Sequence, residues 1–393
     1  MKSIKIPLLG RVAIAIVLGI LLGQFVPVWF ARVFATFNGL FGNFLSFIVP
    51  LIILGLVTPA ISELGRGAGK LLVITLLIAY FSTLFSGFFT YFSCQSVLPK
   101  IITGGMDSAM VQSIEEGAIK AYFNIQMPPV IDVMAALILS FCLGLGASIT
   151  KGEALQRLFS DFRNVITLII RKVIIPLLPL YIFGMFLAIS VVGQVFTVIV
   201  LFIQVIGVIF VLHILLLLIQ YITAGLIAKR NPFTALKGMM PAYLTALGTS
   251  SSAATIPVTL QCTINNKINP NIASFVIPLC ATIHLAGSIM KIVGFSLAIM
   301  YFFKIPVDFG VFVGFIFMLG ILLVAAPGVP GGAIMTAIGV IQATLGFTDT
   351  MVGLMITIYI AVDSFGTACN VTGDGAIAMV IDRIAGKEST CLS

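Results

Sequence analysis

Charge is what this chain has least of. Asp, Glu, Lys and Arg make up only 9% of its 393 residues, against about 25% in a soluble globular domain. Its six cysteines (Cys94, Cys142, Cys262, Cys280, Cys369 and Cys391) are scattered, mostly inside apolar runs, with no CxxC or paired spacing. Neither a disulfide framework nor a cysteine-based metal site is therefore expected. No HExxH and no GxSxG occurs, so an intramembrane enzyme rests on nothing beyond the presence of Ser, His and Asp. Also missing is the ten-residue apolar/polar alternation of outer-membrane strands. The remainder is apolar: 60% of residues are hydrophobic and the mean hydropathy is +1.22. That composition describes an all-α polytopic membrane protein in contact with lipid.

The few charges are unevenly placed. The net charge of +8 calls for no nucleic-acid partner. Once the apolar runs are threaded, Arg32, Lys100, Lys120 and Lys304 fall on one side and Lys291 inside the membrane, leaving sixteen of the 21 basic residues on the other side. Among these are Lys2, Lys5, Arg11, Arg66, Lys70, Lys151, Arg157, Arg163, Arg171, Lys172, Lys229 and Arg230. The positive-inside rule then puts the N-terminus in the cytoplasm and the protein in an inner or plasma membrane.

Spans are expected near residues 12–30, 40–62, 70–94, 130–149, 164–192 and 195–227. The first has the basic start of a signal peptide, but no small-residue cleavage site closes it, so it reads as a retained span. Between the third and fourth, a polar external stretch from Gln95 to Gln126 carries Asp107, Glu115 and Glu116. From Asn231 to Pro270 the apolar stretches are too short to cross twice and flank Gly248-Thr-Ser-Ser-Ser-Ala-Ala-Thr255. Ser and Thr hydroxyls can satisfy backbone groups at membrane depth, which predicts a re-entrant hairpin, although a serine run alone also suits a cytoplasmic loop. His284-Leu-Ala-Gly287-Ser288 interrupts the next apolar run, predicting a broken helix with Lys291 two turns beyond His284. A second hairpin turns at Ala325-Ala-Pro-Gly-Val-Pro-Gly-Gly332, where prolines and glycines cannot continue a helix. Gly/Pro-interrupted segments in corresponding positions mark the midplane site of many transporters.

The last apolar run, Tyr359 to Asp382, carries Asp363, Thr367, Asn370 and Asp374 at steps of four, three and four residues, which is one face of a helix. A charge at the bilayer centre costs roughly 2.5–3.5 kcal/mol on insertion scales, so such carboxylates face a watery path or a partner. Two readings stay open, a binding site for a small polar ligand and a structural ion pair with Lys291. His284 stands at a helix break, where freed carbonyls can coordinate cations. His213, within VLHILLLL, reads as a satisfied core histidine.

Together, TSSSAATIPVT (249–259), ATIHLAGS (281–288), PGVPGGAIM (327–335) and DSFGTACNVTGD (363–374) resemble the hairpin tips and broken helices of the dicarboxylate/amino acid:cation symporter family, the glutamate-transporter family. The chain looks like a divergent, bacterial-type member. The resemblance implies eight transmembrane helices plus two re-entrant helical hairpins, an elevator mechanism and a homotrimer. It divides the chain into scaffold helices 1–2 (residues 1–69), transport-domain helix 3 (70–94), an external loop with scaffold helices 4–5 (95–194), and the rest of the transport domain (195–393). Carried over by position, Asp363 would hold a substrate amino group, Thr367 would lie against its side chain, and Asn370 with the Ser252 region would hold its carboxylate, with Ser251, Ser288 and Gly366 in the same substrate site. The Val329 to Gly332 tip would gate the site, and Asn370, Asp374 and Thr282 would serve a cation.

Departures from the family pattern shape the expected chemistry. Members that take acidic amino acids carry Arg where this chain has Gly366, or in the first hairpin where it has Ser250. The family's NMDGT is HLAGS here, so His284 and Ala286 replace cation-coordinating side chains, and Thr75, Ile78, Ala79, Leu323 and Ala326 depart from other sodium-site positions. The reading that follows is a symporter, not an enzyme, importing a small amino acid with a neutral side chain. It uses no cofactor, and its coupling ion is the proton or sodium, with the His284/Asp374 pair favouring the proton. The alternative is an acidic amino acid or C4-dicarboxylate carrier in which Lys291 stands in for the missing Arg.

Overall fold

In hydrocarbon an unpaired backbone group costs several kcal/mol, and a helix is the one segment that pairs all of its own. The computed structural model describes residues 8–64, 70–102, 119–150, 153–193, 195–328 and 330–391. Asp107, Glu115 and Glu116 of the expected external loop, and Lys2, Lys5, Arg66 and Lys151 of the charge asymmetry, lie outside the described residues.

The first half comprises α1 (Leu8–Gly23), α2 (Val28–Leu64), α3 (Lys70–Ile101), α4 (Val133–Ile149) and α5 (Glu153–Ile169). A π-helical turn (Ile170–Ile174) then leads into α6 (Ile175–Val191), and α7 (Val195–Ala228) follows. Two expected boundaries move. The 12–30 run is divided by a turn at 24–27, because Pro27 disfavours helix in the residue before it, and Val28 to Phe30 open α2 instead. Gln95 to Ile101, expected as the start of the external stretch, continue α3, held by the fully buried Leu98.

The second half is built of shorter helices: α8 (Pro232–Gly238), α9 (Met240–Thr249), α10 (Ser252–Asn265), α11 (Pro270–Ile283), α12 (Ala286–Phe302), α13 (Phe309–Val324), α14 (Gly332–Leu345), α15 (Asp349–Ala361) and α16 (Asp363–Cys391). Their starts follow from local sequence. Asn231 and Asn269 cap α8 and α11 with Pro in the first turn, Asp308 accepts from the Val311 N–H at 2.8 Å, and Ser251 caps α10. The α9/α10 and α13/α14 pairs each pack arm to arm. With arms of 10 and 14 residues, and of 16 and 14, they reach about 15–24 Å, short of the roughly 30 Å hydrocarbon core. Both are therefore re-entrant hairpins.

Among the described residues five helical stretches are long and apolar enough to cross a membrane, six with α15 and α16 taken as one bent span. The shorter apolar helices include α1 and α4 as well as the hairpin arms α13 and α14. One expectation is corrected here: Tyr359 to Asp382 is not a single helix, since the chain bends by 60° at Val362 and restarts at Asp363. Asp363 thereby becomes the first residue of α16. In packing, α4, α5 and α6 gather around α2 and α1 lies against α6, whereas α16 sits among α3, α7, α9, α10, α11 and α12. Contacts of α14 with α2, and of α15 with α1 and α6, join the two groups.

Candidate functional site

Three helix starts are joined by hydrogen bonds. The first hairpin restarts at Ser252, the second at Gly332 and the last helix at Asp363, with bonds between the two tips and from the second tip to Asp363, while the broken helix, restarting at Ala286, is held to Asn370 within α16. Ser251 Oγ donates to Gly328 O at 2.7 Å, joining the two hairpin tips. Gly331, at φ +74° in the left-handed region that glycine tolerates, donates its N–H to Asp363 Oδ2 at 2.8 Å. At the start of α12, the Gly287 and Ser288 N–H groups would be orphans, and Asn370 Oδ1 accepts both at 2.7 and 3.3 Å. The N–H groups named here at the starts of α12 and α14 are thus taken by Asn370 and Asp363.

At the centre lies an ion pair. Lys291 Nζ donates to Asp363 Oδ1 at 2.8 Å, and sits 3.7 Å from the ring centroid of Tyr359. Lys291 is fully buried, and among the described residues it is the one Lys or Arg in the core. The Tyr359 hydroxyl is buried beside Asp363 and Ser288. Gly366 makes the arrangement feasible, because a Cβ there would collide with Lys291 Cε and lie 2.7 Å from Nζ. Gly287 does the same for the backbones: a Cβ would come within 2.6 Å of Gly366 O.

A second cluster lies eleven residues further along α16, about 16 Å at 1.5 Å per residue. His284 Nδ1 and Asp374 Oδ1 are 2.9 Å apart, His284 Nε2 and Ser82 Oγ 3.0 Å, and Gln220 Nε2 donates to Ser82 Oγ at 3.0 Å. Ser82 Oγ thus lies within hydrogen-bond distance of both His284 and Gln220, which links the His284–Asp374 contact to α7. Ser82, Gln220 and Gly373 also line a cleft of about 370 Å³ that runs along α7 and the second half of α16. The network accordingly ends at a cleft whose remaining lining is mostly apolar.

The expected site residues separate as follows. Asp363, Thr367, Asn370 and Asp374 are buried together on α16, with Ser288, Lys291 and Gly366 among them and Gly332 opening α14. Thr367 turns its hydroxyl back to Asp363 O at 3.0 Å. Asn370 has its carbonyl oxygen on the α12 N–H groups and donates one N–H to Ser288 Oγ at 3.0 Å, so it serves as a helix cap for its neighbour. Ser252 is buried at the start of α10. Thr282 is not brought to the Asn370/Asp374 cluster: it is exposed, donates to Leu279 O at 2.8 Å and faces a cleft shared with Arg163 and the second hairpin tip. Val329 lies outside the described residues. The break at His284 also separates that residue from Lys291, which pairs with Asp363 rather than sharing the Asp374 cluster. His213 is buried as expected, and its Nε2 lies 3.2 Å from the Gly287 carbonyl at the break.

Sodium needs several oxygens at once. Asp374 Oδ1 is taken by His284, Asn370 Oδ1 by two N–H groups, and Thr282 points elsewhere. These three side-chain oxygens are therefore not brought together around one point.

The sequence model of the sodium:dicarboxylate symporter family matches residues 8–384. The chain belongs to that family. Its relatives include the mouse excitatory amino acid transporter 5, 32% identical over 44% of this chain and 31% of that protein. The human excitatory amino acid transporter 5 is 32% identical over 41% of this chain and 29% of its own length. A longer match reaches the rat excitatory amino acid transporter 1, at 24% identity over 66% of this chain and 48% of the relative. The chain thus spans between about a third and a half of these curated relatives. As a family member with several apolar helices it is a multi-pass membrane protein.

The residues that sequence reasoning missed are Ser82, Gln220, Tyr359 and the Gly331 N–H. Ser82, Ser86 and Thr90 recur every four residues on the mainly apolar α3, a hydroxyl stripe that could have flagged the first. Ser86 likewise bonds the break, donating to Ala286 O at 2.6 Å.

Proposed function

We propose that this protein is a secondary active transporter that carries a small, zwitterionic amino acid with a neutral side chain, coupled to protons in preference to sodium. The observation that carries the substrate is the Lys291–Asp363 pair at 2.8 Å, buried at the start of α16. Its net charge is zero. An acidic amino acid brings a surplus carboxylate that needs an uncompensated cation, and Lys291 is already neutralised by Asp363. A zwitterion adds no net charge, so it avoids the desolvation penalty that an unmatched ion suffers inside the membrane. The proton reading is supported by the His284–Asp374 contact, its relay through Ser82 and Gln220, and the occupied oxygens that sodium would require.

We further infer the elevator arrangement and homotrimer of the family, with α1, α2 and α4–α6 as scaffold, the remaining helices moving, and the N-terminus cytoplasmic in an inner or plasma membrane. One observation favours a second reading. Lys291 Nζ stands where a side chain at position 366 would begin, the position at which acidic-substrate members carry Arg. A dicarboxylate carrier would use Lys291 in that role. Uptake of labelled L-alanine and L-aspartate into proteoliposomes separates the two, with an acid-outside gradient and no sodium in one arm, and sodium with no pH gradient in the other. Alanine uptake driven by the proton gradient is expected; aspartate uptake that needs sodium would overturn both parts of the reading.

A further inference from the structure

Asp363 has no oxygen left over in this state. Oδ1 holds Lys291 and Oδ2 holds the Gly331 N–H, so an incoming ammonium finds its carboxylate partner already engaged. The groups that would receive a carboxylate are limited as well. Asn370 has its oxygen and one N–H committed to α12, and Ser251 holds the opposite hairpin tip. Lys291 carries three N–H donors and is the one buried cation among the described residues.

Resting on the zwitterion reading above, we propose that Lys291 and Asp363 form an exchangeable internal ion pair. On binding, the ligand's ammonium takes Asp363 and its carboxylate takes Lys291. One buried ion pair becomes two, and at no point is either charge left without a partner. The alternative, an ammonium inserted while Lys291 stays bound, would set two cations on one carboxylate. The surroundings suit the exchange. The Tyr359 face keeps a contact for the ammonium of Lys291 as it swings, and Gly366 leaves the space for its stem. The resting pair also leaves Asp363 Oδ2 to hold the Gly331 N–H at the second hairpin tip when no ligand is present. Lys291 is on this reading a specificity-determining residue, since it demands a carboxylate as Asp363 demands an amine.

The test uses calorimetric titration of the purified protein with L-alanine, with propionate, which lacks the amine, and with ethylamine, which lacks the carboxylate. Wild type should bind alanine about tenfold or more tightly than either analogue, the span of a charged hydrogen bond. In Lys291→Gln the preference for alanine over ethylamine should fall to about threefold or less, while in Asp363→Asn the preference over propionate should fall likewise. Removing one partner strands a buried charge, so the single variants are paired with Lys291→Gln/Asp363→Asn, which leaves neither charge unpaired and should lose both preferences. The wild-type series alone refutes the exchange if ethylamine or propionate binds as tightly as alanine. If alanine binds and Lys291→Gln or the double variant keeps the full preference over ethylamine, the exchange is wrong and the amino-acid reading stands. If succinate binds and no neutral amino acid does, both fall.

Discussion

Gly366→Ala is the smallest change that asks whether Lys291 and residue 366 share one space. In an open stretch of helix the substitution would stabilise by about 0.8–1 kcal/mol. Here the added Cβ would overlap Lys291 Cε and stand 2.7 Å from Nζ and 3.0 Å from Cδ. Lys291 is fully buried and cannot swing into water. Either α12 and α16 yield, an overpacking cost of about 1–3 kcal/mol, or the ammonium leaves Asp363 and strands a buried charge at about 3–5 kcal/mol. Set against the helical gain, overpacking nets a loss of up to about 2 kcal/mol and a stranded ammonium one of about 2–4 kcal/mol. Unfolding equilibria in mixed micelles measure it, together with Lys291→Ala and the double variant. On the Lys291→Ala background the added methyl has room, and Gly366→Ala should become neutral or stabilising, a coupling of at least about 1 kcal/mol. A Gly366→Ala protein more stable than wild type, or an equal penalty in both backgrounds, would refute the shared space. The same logic governs Gly366→Arg: it should favour acidic substrates only when Lys291 has been shortened to make room.

Other expectations follow from the remaining contacts. His284→Asn should cut the stimulation of uptake by an acid-outside gradient while leaving alanine affinity within about threefold, since the relay is about 16 Å from Asp363 along α16; unchanged gradient dependence in a transport assay would remove His284 from coupling. Ser251→Ala loses the 2.7 Å bond between hairpin tips, about 1 kcal/mol, and should speed ligand dissociation severalfold in a filter-binding chase; an unchanged off-rate would mean the tips do not gate exit. Arg230 bonds Asn266 O, Lys267 O and Asp382 Oδ2; partly exposed, it should contribute about 1–2 kcal/mol, so Arg230→Ala should lower the unfolding midpoint where Lys229→Ala does not.

The helical stripe from Asp363 to Asp374, the break at His284 and both hairpin turns could be read from sequence, because each rests on local rules: a 3.6-residue period, prolines and glycines that stop a helix, and polar residues that must be buried in company. Pairings could not. Whether Lys291 meets Asp363 or Asp374 depends on how far α12 slides along α16, and that register is set by Gly287 pressing on Gly366 O. The restart at Asp363 was hidden for a related reason. Nothing in Ile360-Ala-Val-Asp363 is a helix breaker, and the 60° bend is imposed by tertiary contacts such as the Asp363 bond to Gly331. Asn370 looked like a ligand for substrate or cation because an amide on a polar face has that capacity. The broken helix it caps was needed to see what that amide does instead.

Gly366 and Lys291 read as two separate departures along the sequence, a lost Arg on one helix and an intramembrane Lys on another. In space they are one change. The ammonium lies where the side chain at 366 would start, so positive charge is retained in the site but delivered from α12 instead of α16. The move has a chemical consequence, because a guanidinium offers five donors in a planar fork and can grip a second carboxylate while keeping a charge partner, whereas an ammonium is a compact point charge on a flexible stem. A flexible point charge can be handed from Asp363 to a ligand carboxylate. A site built on such an exchange requires both an amine and a carboxylate in its ligand, and it has no fixed positive group left for a third charge.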